Sequence, residues 1–182
     1  MLKKQRPKEH DVSHYFFFVE VPVQVVAAEA MLWGESAWWP KNSLTHYIKE
    51  MPGDLKVGTR YKQIIHKPFA PSWTVEITKF IPNRLIERKF VNGMFKGYEL
   101  LIIGERANGT RVDYELHYKI RGLFNMILWP YYLRKQYDMN AKLIMSALKE
   151  RVIQKNQEQA AKNSKMNHLK NNKNNNKEKS GK

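Results

Sequence analysis

Between residues 13 and 120 apolar and polar positions alternate with a period of two, and turn residues recur at strand-length intervals. The clearest stretch is 110–120, where Thr110, Val112, Tyr114, Leu116, Tyr118 and Ile120 alternate with Arg111, Asp113, Glu115, His117 and Lys119. One apolar and one charged face is the pattern of an antiparallel strand that is wet on one side. Asn108-Gly109 predicts a tight hairpin back to a strand over 94–105, read with Tyr98, Leu100 and Ile102 on the inner face and Glu99 and Glu105 outside. Trp73, Val75 and Ile77 alternate with Thr74, Glu76 and Thr78 in a strand that ends at Ile81-Pro82-Asn83, and 84–91 follows, closed by Asn92-Gly93. Residues 59–66 and 15–21 supply earlier strands.

Two helical pieces interrupt the sheet pattern, one over about 23–33 after Pro22 and a shorter one after Trp38-Trp39-Pro40. After Gly122 the period becomes helical: Leu133, Tyr137, Asn140, Ile144, Leu148 and Val152 share a face, with Arg134, Lys135, Lys142, Lys149 and Glu150 largely elsewhere. At about 1.5 Å per residue this helix extends roughly 30 Å, the length of a strand of about ten residues. It can therefore lie along the whole apolar face of the sheet.

A chain of 182 residues, 42% hydrophobic, supports one domain with a core. Residues 1–12 read as a basic N-terminal tail, 13–153 as the domain, and 154–182, dominated by Asn, Lys and Gln, as a disordered tail. The absence of cysteine excludes disulfides, thiolate metal sites and a cysteine nucleophile. The apolar stretch after the basic start is broken by Glu20, Pro22 and Glu29, unlike a leader. The longest apolar run, 123–133, is interrupted by Asn125 and Pro130 and is shorter than the roughly 20 residues of a membrane span. A cytoplasmic location is the expectation. Of the net charge of +15, residues 155–182 hold eight lysines against Glu158 and Glu178, so the tail takes a disproportionate share. That tail is a solvated arm or an electrostatic one for anionic lipid or nucleic acid.

Strand, two short helices, a run of antiparallel strands and a long terminal helix is an order that resembles the START-related helix-grip superfamily known as SRPBCC, in particular its polyketide cyclase/dehydrase-like branch. The matching residues are Val19-Glu20-Val21-Pro22, Trp38-Trp39-Pro40, Val57-Gly58-Thr59-Arg60, and Thr74-Val75-Glu76-Ile77 with Ile81-Pro82-Asn83-Arg84-Leu85. Asn92-Gly93 with Phe95-Lys96-Gly97, and Asn108-Gly109-Thr110-Arg111-Val112, complete the set over about 15–152. The resemblance implies an α+β helix-grip fold, a curved antiparallel sheet wrapped around the C-terminal helix, and binding of an apolar or amphipathic small molecule or lipid between them. Only some members catalyse a reaction, so the fold implies the pocket and not the ligand.

The residues themselves favour binding over catalysis. No glycine-rich phosphate loop precedes a helix, no histidine pair has metal-ligand spacing with a third ligand nearby, and no serine sits in a nucleophile motif. A cyclase needs an acid or base in an apolar pocket, whereas Glu76, Glu99, Glu105, Asp113 and Glu115 all read as outward. No catalytic residue, metal or cofactor is assigned. The binding candidates are Trp73, Tyr98, Tyr114 and Tyr118 from the sheet and Trp129 and Tyr137 from the helical region, whose buried polar tips need partners. Arg88 lies between Ile86 and Phe90 on one strand face. Aimed inward it costs several kcal/mol unless paired, with Asp138 or an acidic ligand group as partner. Alternatively Leu85 defines the inner face and Arg88 points out, or it snorkels at the rim. The segment 122–133 either plugs one end of the core or forms an interfacial set of rings and cations for an anionic membrane surface. Nucleic acid ranks below membrane, because aromatic and basic residues do not interleave on an exposed face. The oligomeric state is left open by the sequence.

Overall fold

A computed structural model describes residues 11–34, 38–50, 53–65 and 72–179, with side chains described as far as Met166. Among the described residues seven antiparallel strands form one curled sheet: β1 (Asp11–Val19), β2 (Thr45–Lys49), β3 (Arg60–Ile65), β4 (Trp73–Ile81), β5 (Leu85–Phe90), β6 (Phe95–Arg106) and β7 (Gly109–Ile120). Their order is β1-β7-β6-β5-β4-β3-β2, so β1 closes against the last strand of a meander and β1 and β2 form the edges. Helix α1 (Val23–Ala30) follows β1, and α2 (Leu123–Leu128), a π-helical turn (Trp129–Leu133) and α3 (Arg134–Lys179) follow β7. This is the helix-grip architecture that the sequence predicts.

The local chemistry sets these boundaries. Asn92-Gly93 turns between β5 and β6, where Gly93 has φ +87° and a Cβ there would lie 2.3 Å from the Cβ of Trp73; only glycine allows both the left-handed backbone and the close approach. Asn92 Oδ1 accepts the Thr74 backbone N–H at 2.6 Å, tying that turn to β4. Pro130 lacks the backbone N–H an α-helix needs, and the chain passes it in the π-helical turn rather than ending the helix there.

Residues Asn140, Ala141, Ile144, Met145, Leu148 and Val152 of α3 are buried against the concave face, as the helical period predicts. Val152 is the last buried residue described along α3. Beyond it the backbone remains helical to Lys179, where the sequence reading expects a disordered tail from 154. Lys, Gln and Ala are good helix formers and Asn a poor one, so the extension rests on propagation from the packed half, which adds one residue at a time without a new nucleus.

Two local expectations change. In place of a second short helix after Trp38-Trp39-Pro40, the described chain turns, with Ser43 N–H bonded to Pro40 C=O at 3.0 Å, and continues into β2, which the reading did not include. Trp38 and Trp39 donate their ring N–H groups to the Glu29 and Thr45 carbonyls at 3.3 and 2.7 Å. Those anchors hold the turn in a form incompatible with a continuous helix. Among the described residues no helix is long and apolar enough to cross a membrane.

Candidate functional site

The register of the central strands decides which polar groups lie under α3. On β5, Ile86, Arg88 and Phe90 are buried together, so Arg88 points inward. On β6 the buried residues are Phe95, Glu99, Leu101 and Ile103, while Tyr98, Leu100 and Ile102 lie on the outer face. This reverses the assignment of β6 made from its sequence. Arg88 and Glu99 are directly opposite in the β5–β6 pairing, with Arg88 Nε 2.6 Å from Glu99 Oε1. The partner of Arg88 is therefore Glu99. Asp138 instead accepts a hydrogen bond from the Tyr15 hydroxyl.

The pair is enclosed: the two side chains are 4% and 2% exposed. The guanidinium carbon lies 4.7 Å from the ring centre of Tyr47, 5.8 Å from that of Trp33 and 6.0 Å from that of Tyr61, a cage of π faces that offsets part of its lost hydration. Burial alone would lower the pKa of Arg88, but the Glu99 carboxylate and the surrounding tyrosines raise it. It stays a cation.

Glu99 Oε2 accepts the Tyr114 hydroxyl at 2.6 Å, and the Tyr114 and Tyr137 hydroxyls are 2.7 Å apart. A phenol has one proton to donate. Because Tyr114 gives its proton to Glu99, Tyr137 donates to Tyr114, and the Tyr137 oxygen keeps acceptor capacity. Burial, then the charge of Glu99, pushes the hydroxyls of Tyr47, Tyr114 and Tyr137 above the usual tyrosine range. Despite the short approach of Arg88, Glu99 Oε1 receives no well-aligned hydrogen bond, and neither does Trp73 Nε1 give one. Beside the network is a cavity of about 10 Å³, lined by Tyr47, Gln63, Tyr114, Tyr137 and Asn140 among others, roughly what one water molecule needs. Asn140 closes it at α3, accepting from Ser43 Oγ and Leu44 N–H at 2.9 and 2.7 Å and donating to Thr45 Oγ1 at 2.9 Å.

The residues picked out in the sequence fall into three places. Arg88, Tyr114 and Tyr137 belong to this network. Trp73, Tyr118 and Trp129 gather around Phe95 at one end of the interior, with ring centres 5.3, 5.7 and 5.2 Å from it, and Tyr137 joins the two groups through a 5.6 Å edge contact with Phe95. Tyr98 is on the opposite side of the sheet, stacked on His117 at 4.6 Å. Glu99, Tyr47, Tyr61, Trp33 and Asn140 were not selected from the sequence. For Glu99 the signal was present in the hairpin: a two-residue turn sets Thr110 opposite Glu105, which places residues 99, 101 and 103 on the face of Tyr114 and Leu116.

No protein-family model matches the sequence, and no curated protein sequence matches it. Solved structures do match. The Zhui aromatase/cyclase from Streptomyces sp. R1128 superposes with a TM-score of 0.62 at 12% identity, covering 79% of this chain and 94% of that one. The protein TTHA0849 from Thermus thermophilus gives 0.60 at 16% identity, with 79% and 97% covered, and Ara h 8.0201 gives 0.59 at 11%, with 79% and 98% covered. At such identities the likeness is one of fold. The molecule has a helix-grip fold, shared with these three proteins.

Proposed function

We propose that the chain binds a small amphipathic molecule between the sheet and α3, with an apolar body against the Phe95–Trp129 cluster and a polar group at Glu99, Tyr114 and Tyr137. The carrying observation is the buried Arg88–Glu99–Tyr114–Tyr137 network. A buried ion pair rarely stabilises a fold better than well-packed hydrophobic residues of the same volume, so stability gives no reason for one here. Polar atoms without a partner in a core call for an explanation: a ligand hydroxyl can donate to Glu99 Oε1, and a ligand carbonyl or hydroxyl can accept from Trp73 Nε1. The fold neighbours include an aromatase/cyclase, which makes a small-molecule cargo the natural class.

A ligand larger than water requires α3 or the turn before β2 to shift. The test is native mass spectrometry of the purified protein for a retained small-molecule mass, paired with displacement of an environment-sensitive dye by polycyclic phenols and fatty acids. One-to-one binding, weakened by Tyr137→Phe, supports the reading. A protein that retains nothing and binds neither dye nor any of these compounds removes it.

One observation favours a second reading, a cyclase- or dehydratase-type enzyme. Glu99 is an acid in the interior, within reach of two phenols, which is the arrangement whose apparent absence counted against catalysis in the sequence. Glu99→Gln in an Arg88→Met background, which leaves no buried charge unpaired, tests the second reading: turnover lost by far more than binding is weakened assigns a proton transfer to the carboxylate, and a wild type that turns over none of the compounds it binds removes it.

A further inference from the structure

The segment between β7 and α3 is covered on one side only. Trp129 is buried, with ring centres 5.2 Å from Phe95 and 5.2 Å from Tyr118, and its Nε1 donates to the Tyr118 hydroxyl at 3.3 Å. It pins the segment to the end of the core. Around it Leu123, Phe124, Met126, Ile127, Tyr131 and Tyr132 are between 52% and 84% exposed. Scattered exposed hydrophobics are ordinary, but a contiguous run of this kind marks an interaction surface. Helical backbone holds the run in place, opened by Gly122 at φ +85° and by Asn125 Nδ2 bonded to the Arg121 carbonyl at 2.9 Å.

Charge identifies the partner. Between residues 118 and 137 the chain carries Lys119, Arg121, Arg134 and Lys135 and no Asp or Glu, and all four cations are exposed. A two-fold dimer through this face would bring four cations against four. An anionic bilayer offers both things the face lacks: acyl chains for Leu123, Phe124 and Ile127, and acidic headgroups for the cations, with Tyr131 and Tyr132 suited to the depth between.

We propose that residues 119–135 form a docking surface for anionic lipid bilayers. The proposal stands apart from the interior site, since it uses none of the network around Glu99.

The experiment is co-sedimentation of the full chain at low salt with vesicles of phosphatidylcholine mixed with phosphatidylserine, against phosphatidylcholine alone. Wild type should pellet with the mixed vesicles. Phe124→Ser/Tyr131→Ser should weaken binding roughly tenfold or more, and Arg121→Glu/Arg134→Glu/Lys135→Glu should do so with a flatter salt dependence. Phe124 and Tyr131 are 73% and 84% exposed, so their loss leaves the core alone, and a thermal melt verifies each fold. Lys62→Glu/Lys89→Glu, exposed cations on β3 and β5, is the control for general positive charge and should weaken binding much less. The proposal is overturned if wild type ignores mixed vesicles, if either site variant binds as well as wild type, or if the control loses as much as the charge variant. It is equally overturned if Phe124→Ser/Tyr131→Ser abolishes a dimer seen by sedimentation velocity, which would make the face a contact between copies.

Discussion

Two arginine–carboxylate pairs occupy opposite faces of one sheet. On the concave side Arg88 and Glu99 meet at 2.6 Å. On the convex side Arg111 meets Asp113 through Nε and Nη2, at 2.9 and 2.7 Å, and His14 adds a third partner at 2.7 Å. By geometry alone the outer pair is the better one, since its fork is two-pronged. Yet its side chains are 34% and 16% exposed against 4% and 2% inside. Water already serves the outer charges, folded or unfolded, whereas among the described residues the inner charges have each other, the tyrosine hydroxyls and the ring faces. The same chemistry thus makes an incidental surface contact on one side of the sheet and a site that must stay complete on the other.

The largest expected effect breaks the inner pair from one end. Arg88→Met leaves the Glu99 carboxylate buried without its cation and should cost about 3–5 kcal/mol in urea unfolding. Adding Glu99→Gln, which keeps an acceptor for Tyr114, should restore most of that loss. If the double variant is as unstable as the two single losses added together, the two side chains are not coupled and the contrast between the faces is overstated.

Alkaline pH probes the inner side next. Tyr47, Tyr114 and Tyr137 have raised pKa values when folded, while in the unfolded chain they ionise near pH 10. Above that pH the unfolded chain binds fewer protons than the native one, so stability falls as pH rises, by about 1.4 kcal/mol per pH unit for each tyrosine. Urea midpoints from about pH 8 to about pH 11 measure it, with tyrosinate absorbance as a second readout. Tyrosines that all ionise with the protein still folded would show that the interior is wetter than described.

Tyr114→Phe is the finer cut. It removes the donor to Glu99 Oε2 and should cost about 1–3 kcal/mol. Tyr137→Phe should cost less, because Tyr137 is only half-buried and donates to a phenol rather than a carboxylate. Equal costs would mean that the two hydroxyls act as one unit and not as a graded chain.

The same contrast explains what the sequence could show. β7 is legible because its two faces differ in chemistry, apolar on one and charged on the other. β6 is not, because Leu100, Leu101, Ile102 and Ile103 place apolar residues on both faces, and alternation then carries no parity. Glu99 looks like an outer-face charge until the turn length, which fixes the register, is applied. Arg88 was legible as an inward candidate from Ile86 and Phe90, but its partner depended on β6 and was missed with it. β2 is illegible for a related reason: beyond the buried Thr45, His46-Tyr47-Ile48-Lys49 at a sheet edge is partly or fully exposed on both faces, so Tyr47 enters the cage around Arg88 from a strand that the sequence does not predict. The long helix is legible where it packs, because its period comes from packing; over 153–166, the residues beyond Val152 whose side chains are described, none is buried to impose one.

The smallest expected effect belongs to the outer pair. Partial burial pushes the Asp113 carboxyl up, but hydrogen bonds from Arg111 and His14 outweigh it and hold it below the usual carboxylate range. A depressed carboxylate contributes stability above its unfolded pKa, near pH 4, and loses it as pH falls through the folded value. At neutral pH the contribution is present, yet Arg111 is in solvent and salt screens what remains. Arg111→Ala should therefore move the urea midpoint by little more than the scatter between repeats, and less still in high salt, while the loss from Arg88→Met should persist in salt because its charges lie beyond the reach of counterions. The ring of Phe16, 4.3 Å from the Arg111 guanidinium carbon, is an apolar contact that would enlarge the effect, and it would do so independently of salt. A salt-insensitive loss at Arg111 would assign its role to that stacking, and a loss as large as that of Arg88→Met would show that exposure does not rank these two faces.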